Sequence, residues 1–344
     1  MSQSAVLQPR HLQNSTRTIP DDGSQYTFRD LAAHDFPMWD SFVSASPQCS
    51  VFCRTWWLQA VCDRVQIRCL FKNGYLVAGI PLYSERRCGV RVGTMPRLTQ
   101  TLGIVMEPFI GKRSSVANRR TQILSMFALE LGRQNTFFQA FHPTIHNWLP
   151  FHWAGFRQTT RFTHIIENPA DHTNVWDNTD HTVRSEIRKA EKLGIEVHPC
   201  SIKTVLDLES KTFERQELPL PHSPAVLERI CAAAKNNDSG ECFAAADKNG
   251  RAQAAGFMVW DSKRAYYIVT GADPTVRTSG AASLLLWHLV RFAGERSQVF
   301  DFAGSMLHPI ERLFRNFGGK AVPYNFIYKC PFWMHTLLLL NNKL

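Results

Sequence analysis

One order of elements occurs twice in this chain, and that repeat constrains the fold more than any other feature. In the first half, PMWDSFVSA and RTWWLQAVCDR read as helices through their spaced aromatics. A hairpin follows, IRCLFKNGYLVAGIPLYSER, with Asn73-Gly74 as its turn. Next come a strand (TQTLGIVMEP), a long amphipathic helix (SVANRRTQILSMFALELGR), a strand (TFFQAFHP), a short helix (NWLPFHWAGF) and a last strand (TTRFTHIIE). After residue 200 the order returns. SIKTVLDLESKTFERQ and SPAVLERICAAAKN are helices, and ECFAAADKNGRAQAAGFMVW is a hairpin turning at Asn249-Gly250. RAYYIVTGADP is a strand, GAASLLLWHLVRFAGE the long helix, QVFDFAGS a strand, IERLFRNFGG the short helix and AVPYNFIYKC the last strand. Each hairpin and helix has one apolar face and must bury it against a second layer, so the expected class is α/β with mixed α+β sheets, one fold present in two copies.

The 344 residues are too many for one ordinary core and suit two domains. The boundary is expected in the polar stretch between Glu167 and Asp180. The expected division is a disordered polar tail over 1–25, a first domain over 26–170, a second over 171–330 and a tail helix over 331–344. The N-terminal stretch has no apolar h-region, so it reads as neither signal peptide nor anchor. The late apolar run FWMHTLLLL is too short to span a bilayer. It reads as a terminal helix docked on the protein in preference to one lying on a membrane surface, the other arrangement its composition allows.

Thirty-nine basic against 29 acidic residues give a formal charge of +10, which favours an anionic partner: a phosphorylated substrate, a nucleic acid or a membrane surface. No helix-turn-helix, zinc finger or RNP-like motif is present, so DNA is not expected. Nine cysteines without a CxxC pair argue against a disulfide framework or a structural zinc site, and reduced thiols suit a cytoplasmic protein. His142 and His146 have helical ligand spacing, but Pro143 lies between them and no acid is near, so no metal is expected.

The densest basic segment is RSEIRKAEKLGIEV, Arg184 to Val197. On a helix Val183, Ile187 and Ala190 share one face while Arg184, Arg188 and Lys192 line the adjacent one. Gly194 then ends the helix and Ile195-Glu196-Val197 begins a strand. On charge alone a solvated helix face is the preferred account of such a run, but its place between the halves makes Arg184, Arg188 and Lys192 candidates for a substrate phosphate. Further on, a strand ends near Thr270 or Gly271 and Arg277-Thr-Ser-Gly280-Ala281-Ala282 opens a helix. Small residues at a helix start let an anion approach backbone N–H groups and the positive end of the dipole, and an arginine there pairs with a phosphate oxygen.

This run resembles the pyrophosphate-binding signature of the GNAT acyltransferases, [QR]-x-x-G-x-[GA], with Arg277, Gly280 and Ala282 at its specified positions. The order RSEIRKAEKLGIEV, YYIVTGADP, FDFAGS, FRNFGG resembles the FemAB-type, BioF2-like subgroup, which is similar to two GNAT folds in tandem. The resemblance covers about Phe28 to Lys329, and its specific motifs all lie after Asp180. It implies an N-acyltransferase that uses acyl-CoA, contacted by Thr270, Arg277, Ser279, Gly280, Ala281 and Ala282. An amine of a sugar, a cell-envelope polysaccharide or a peptidoglycan precursor would attack the acyl group directly, on an acceptor that is phosphorylated or nucleotide-linked. Asp301, near the end of a strand, is the candidate to accept or orient the amine proton; backbone capping explains it equally well. Tyr267 is a candidate phenolic donor, although tyrosines on strands usually pack. Where GNAT enzymes often carry a proton-donating tyrosine in the last short helix, this sequence has Phe314. FemAB-type enzymes that use aminoacyl-tRNA place a basic residue near that point, and Arg315 is its candidate, so tRNA stands as the alternative donor. The helical insertion typical of those enzymes is absent. A non-catalytic basic protein that binds nucleic acid or a membrane surface is the reading from another class.

Overall fold

The computed structural model describes residues 25–87, 89–304 and 306–340. The tail expected to be disordered lies outside the described residues except for Gln25. The strands are β1 (Tyr26–Asp30), β2 (Gln66–Lys72), β3 (Tyr75–Arg87), β4 (Val90–Thr94), β5 (Val105–Met106), β6 (Phe137–Ala140), β7 (Arg157–Glu167), β8 (Glu196–Pro199), β9 (Gly240–Ala246), β10 (Ala252–Trp260), β11 (Arg264–Ala272), β12 (Val299–Asp301) and β13 (Lys320–Lys329). The helices are α1 (Phe36–Ala45), α2 (Thr55–Val61), α3 (Arg113–Leu131), α4 (Leu149–Trp153), α5 (His172–Asn178), α6 (His181–Lys192), α7 (Ile202–Arg215), α8 (Pro224–Asn236), α9 (Ala281–Gly294), α10 (His308–Asn316) and α11 (Phe332–Leu340).

The expected alternation of elements is present in both halves, and local chemistry explains its punctuation. Asn73 and Gly74 both have positive φ, 50° and 85°, as the tight β2–β3 turn requires. The second hairpin has a longer loop: Asp247 N–H donates to the Arg251 carbonyl at 3.1 Å, and Gly250 has φ 78°. Asp180 caps α6 by accepting from Thr182 N–H at 2.8 Å. Strands β1 and β4 are additions to the sequence reading. β4 extends the β2–β3 hairpin, and its arginine and glycine hide the alternation that marks a strand. The stretch read as a boundary contains α5, capped by Asp171 on Asn174 N–H.

Two sheets result, the smaller antiparallel throughout and the larger mixed. A five-stranded sheet runs β1-β2-β3-β4, with β5 pairing β3. An eight-stranded sheet runs β6-β13-β7-β12-β11-β10-β9-β8. Strands β6 and β7, from the half before Glu167, therefore sit in the same sheet as the second half, and β13 lies between them, antiparallel to both. One face of the large sheet carries α7 and α8 and packs on the first half: Trp39, Phe52 and Trp57 share a core with Val205, Leu227, Phe257 and Tyr266. Each such fully buried large side chain contributes about 2 kcal/mol through removal of apolar surface from water. The opposite face carries α6, α9 and α10, with Ile187, Leu285, Leu289, Phe300, Phe314 and Phe317 in a second core. A third core lies under α3, where Ile123, Phe127 and Leu131 are buried as the periodicity predicts.

Candidate active site

The parting of two parallel strands builds the site. β11 pairs with β12 at Arg264↔Val299, Ala265↔Phe300 and Tyr266↔Asp301, and no further. Beyond Tyr266 it continues along β10, with Gly256↔Thr270, Ala255↔Gly271 and Ala254↔Ala272, while among the described residues its other edge has no partner. Half of the backbone groups of residues 267–272 are thereby turned to a gap that opens toward the strand ends. A short 3-10 turn, Pro274–Ser279, leads from β11 to α9. Asp273 starts that turn by accepting from Thr275 N–H at 2.9 Å, and Arg251, 2.8 Å away, holds its carboxyl well below the usual range.

Gly280 ends the turn with φ 81° and begins α9. A side chain here would be strained twice, by the left-handed backbone and by the Glu186 carbonyl of α6, on which a Cβ would fall. Ser283 donates to Glu186 Oε2 at 2.5 Å and fastens α6 to the start of α9. Arg277, Thr278 and Ala282 are exposed around this turn, as is Thr270 on β11, while Ala281 is buried and Ser279 half-buried; the Ser279 hydroxyl accepts from Ala281 N–H at 3.3 Å. Arg277 has no carboxylate within ion-pair distance among the described residues.

Asp301 stands where β11 and β12 part, 1 % exposed. Its Oδ1 accepts from the Thr163 hydroxyl at 2.5 Å, Ala303 N–H at 2.9 Å and Gln100 Nε2 at 3.3 Å; its Oδ2 accepts from Arg264 at 2.5 Å. These four donors come from β7, the loop after β12, the first half and β11. Asp301 thus both caps the following turn and ties the two halves together. Its Oδ2, which holds a single donor, is the oxygen left to take a proton from an acceptor. Ala303 and Gly304 follow with φ 58° and 71°, two left-handed residues in succession beside the carboxylate.

The remaining predicted residues lie apart. Tyr267 is in the core beneath Gly256, whose Cβ would fall 2.9 Å from the ring, and burial pushes its phenol up to about 12. Arg315 is on the exposed side of α10, paired with Glu311 at 3.2 Å. Phe314 is buried and stacks on Phe302 with centroids 4.7 Å apart, forming a wall and not a donor. On α6, Val183, Ile187 and Ala190 are buried as expected, with Arg184 half-buried and Arg188 and Lys192 exposed. The Arg188 guanidinium lies 5.5 Å from the Trp176 ring centroid of α5.

Sequence reading missed two groups here. Arg264, Thr163 and Gln100 complete the Asp301 network but are distant in sequence; the first two lie on β11 and β7 and Gln100 in the loop before β5, and no local spacing marks them together. The second group is Glu209 on α7 with His222, both side chains under 5 % exposed and 3.0 Å apart. Gly271 of β11 approaches the Glu209 backbone so closely that a Cβ would overlap it. His222 Nδ1 lies 3.3 Å from the Ser223 carbonyl and Nε2 faces Glu209, so both nitrogens meet oxygens, as in an imidazolium. Burial opposes that charge, but the bond to Glu209 outweighs it and raises the imidazole above its usual range. Among the described residues Glu209 Oε2 has no hydrogen-bond partner.

Residues 177–307 match the family model described as an acetyltransferase (GNAT) domain, which spans α6, the parted strands and the Gly280 turn. No curated protein matches the chain. FemX superposes with a TM-score of 0.65 at 12 % identity, over 91 % of this chain and 99 % of FemX. A tandem GNAT protein from the clavulanic acid biosynthesis pathway gives 0.53 at 11 % identity, over 88 % and 98 % of the two chains. The C-terminal domain of a putative lysylphosphatidylglycerol synthetase from Agrobacterium fabrum gives 0.51 at 12 %, over 90 % and 95 %. At these identities the likeness is one of fold.

Proposed function

We propose that the chain is a FemAB-like N-acyltransferase, whose residues 177–307 match a GNAT acetyltransferase domain, and that it moves an acyl group from acyl-CoA to an amine of a cell-envelope sugar, polysaccharide or peptidoglycan precursor. One observation carries this reading: the free edge of β11 past Tyr266, with the Arg277–Ala282 turn directly after it. Backbone groups on that edge can hold the acyl carbonyl and its developing oxyanion, and Arg277 with the first N–H groups of α9 can take the pyrophosphate. The amine nitrogen bonds to the acyl carbon, the carbon–sulfur bond breaks, and the proton that the amine sheds ends on the CoA sulfur. No covalent enzyme intermediate is needed, so positioning is the main contribution of the protein. Arg184, Arg188 and Lys192 hold a phosphate of the acceptor. The synthetase from Agrobacterium fabrum has a cell-envelope lipid in its name, which supports an envelope acceptor. The exposed Phe332 and Trp333 of α11 support a seat at the inner face of the membrane, while Met334 and Leu338 pack on the protein.

The second reading is aminoacyl-tRNA as donor. Two observations favour it: Phe314 supplies no proton, and the α6 backbone lies against Gly280. Release of free thiol from acetyl-CoA with amino sugars as acceptors tests the first reading. Acyl transfer from charged tRNA, with no CoA release, would replace it by the second. Arg277→Ala is expected to raise the KM for acetyl-CoA at least tenfold; an unchanged KM removes Arg277 from the donor site.

A further inference from the structure

Strand β7 carries a cation that has no carboxylate partner among the described residues. The Arg161 guanidinium lies 3.7 Å from the Phe326 ring centroid and is half-buried, yet no carboxylate among the described residues is within ion-pair distance. Burial lowers its affinity for a proton. A desolvated guanidinium without a counter-charge is costly, and folded proteins otherwise pair such groups. Its position is informative. Arg161 is opposite Tyr324 in the β7–β13 register, and opposed residues share a face of a sheet. Two residues on, and so on the same face, Thr163 donates to Asp301. Tyr324 lies close enough to sense the charges of both Arg161 and Asp301. This is the face covered by the first half, from which Gln100 reaches Asp301; its other amide atom, Oε1, is buried without a partner. The left-handed Gly304 borders the same place: a Cβ there would come within 3.5 Å of both Gln100 Nε2 and Thr163 Oγ1, and 3.0 Å of the Phe162 carbonyl.

We infer that Arg161 is a receptor for an oxyanion on the sheet face that the first half covers, binding a carboxylate or phosphate of the acyl acceptor beside Asp301, with the Gln100 Oε1 atom taking a hydroxyl or N–H of the same molecule. Calling that molecule the acceptor rests on the acyltransferase reading; the anion site does not. The planar fork of arginine suits two oxygens of one anion, and its stacking on Phe326 fixes the plane in which they approach.

The test uses the full chain with inorganic phosphate and with acetate as separate probes, measured by calorimetric titration on wild type, Arg161→Met, Arg161→Lys and an Arg184→Ala/Arg188→Ala control. The expected result is that Arg161→Met weakens one probe at least tenfold, that the α6 control retains that component, and that Tm without anion is unchanged or higher. Arg161→Lys should restore part of the affinity. Phosphate or acetate as the affected probe identifies the anion class. Unchanged affinity for both probes in Arg161→Met, or a lowered Tm with unchanged binding, overturns the inference and leaves Arg161 as a packing residue. Acyl transfer is assayed in parallel: anion binding without acyl transfer would sink the functional reading alone, and full transfer by Arg161→Met with both probes unaffected would sink this site alone.

Discussion

Asp301 and Arg264 form a buried ion pair whose members come from different strands, at the point where those strands separate. Removing one member leaves the other desolvated, which costs about 3–5 kcal/mol. Asp301→Ala is therefore expected to lower unfolding free energy by about 3 kcal/mol or more in urea titrations. A loss below about 1 kcal/mol would mean that the site admits water freely. The Glu209–His222 pair makes a different prediction, in pH. His222 is raised above its ordinary value of 6.5, so its contribution is fully present below about pH 6.5 and disappears as pH rises through the folded value. Stability of wild type should fall as pH rises above about 6.5 relative to a His222→Gln variant, read as a difference in urea midpoints. Parallel pH profiles for the two proteins would show that His222 does not carry a proton in the fold.

At the scale of elements, the junction of α6 and α9 links the basic helix to the Gly280 turn. Gly280→Ala forces a left-handed alanine and presses its Cβ on the Glu186 carbonyl, so α6 must shift. The expected stability loss is about 1–3 kcal/mol, with a raised KM for acetyl-CoA. A variant with normal stability but altered KM would place the strain in the ligand contact and not in the helix junction. The Arg184→Ala/Arg188→Ala double variant is expected to raise the acceptor KM about tenfold with little change in kcat, because loss of uniform binding acts on KM. If neither parameter moves, the basic face of α6 is a solvated surface. Most of this element was legible in sequence: the buried stripe Val183, Ile187 and Ala190 follows the helical period. Its contact with Gly280 was not legible, because nothing in local spacing says which helix crosses which.

For the whole molecule, the eight-stranded sheet decides cooperativity. Strands β6 and β7 complete a sheet whose other members, β8 to β13, come later in the chain, and the largest core joins Trp57 to Tyr266 across the halves. A fragment beginning at residue 171 leaves β12 and β13 without their β7 partner, and is expected to aggregate or remain unfolded when expressed alone. Co-expression with residues 1–170 should rescue it as a copurifying pair, seen by circular dichroism and size exclusion. A folded, monomeric fragment 171–344 would show that the seam is dispensable. The repeated order of elements, the hairpin turns, the amphipathic stripes and the R-x-x-G-x-A run were all determined by sequence alone, because each rests on periodicity or on backbone needs within a few residues. The sharing of β6, β7 and β13, the separation of β11 from β12, the four-donor Asp301 network, the buried Glu209–His222 pair and the uncompensated Arg161 were decided only by tertiary structure. Each of these depends on strands or side chains brought together from separate elements, at separations from 13 residues for Glu209 and His222 to 201 for Gln100 and Asp301, and such pairing leaves no period in the sequence to read.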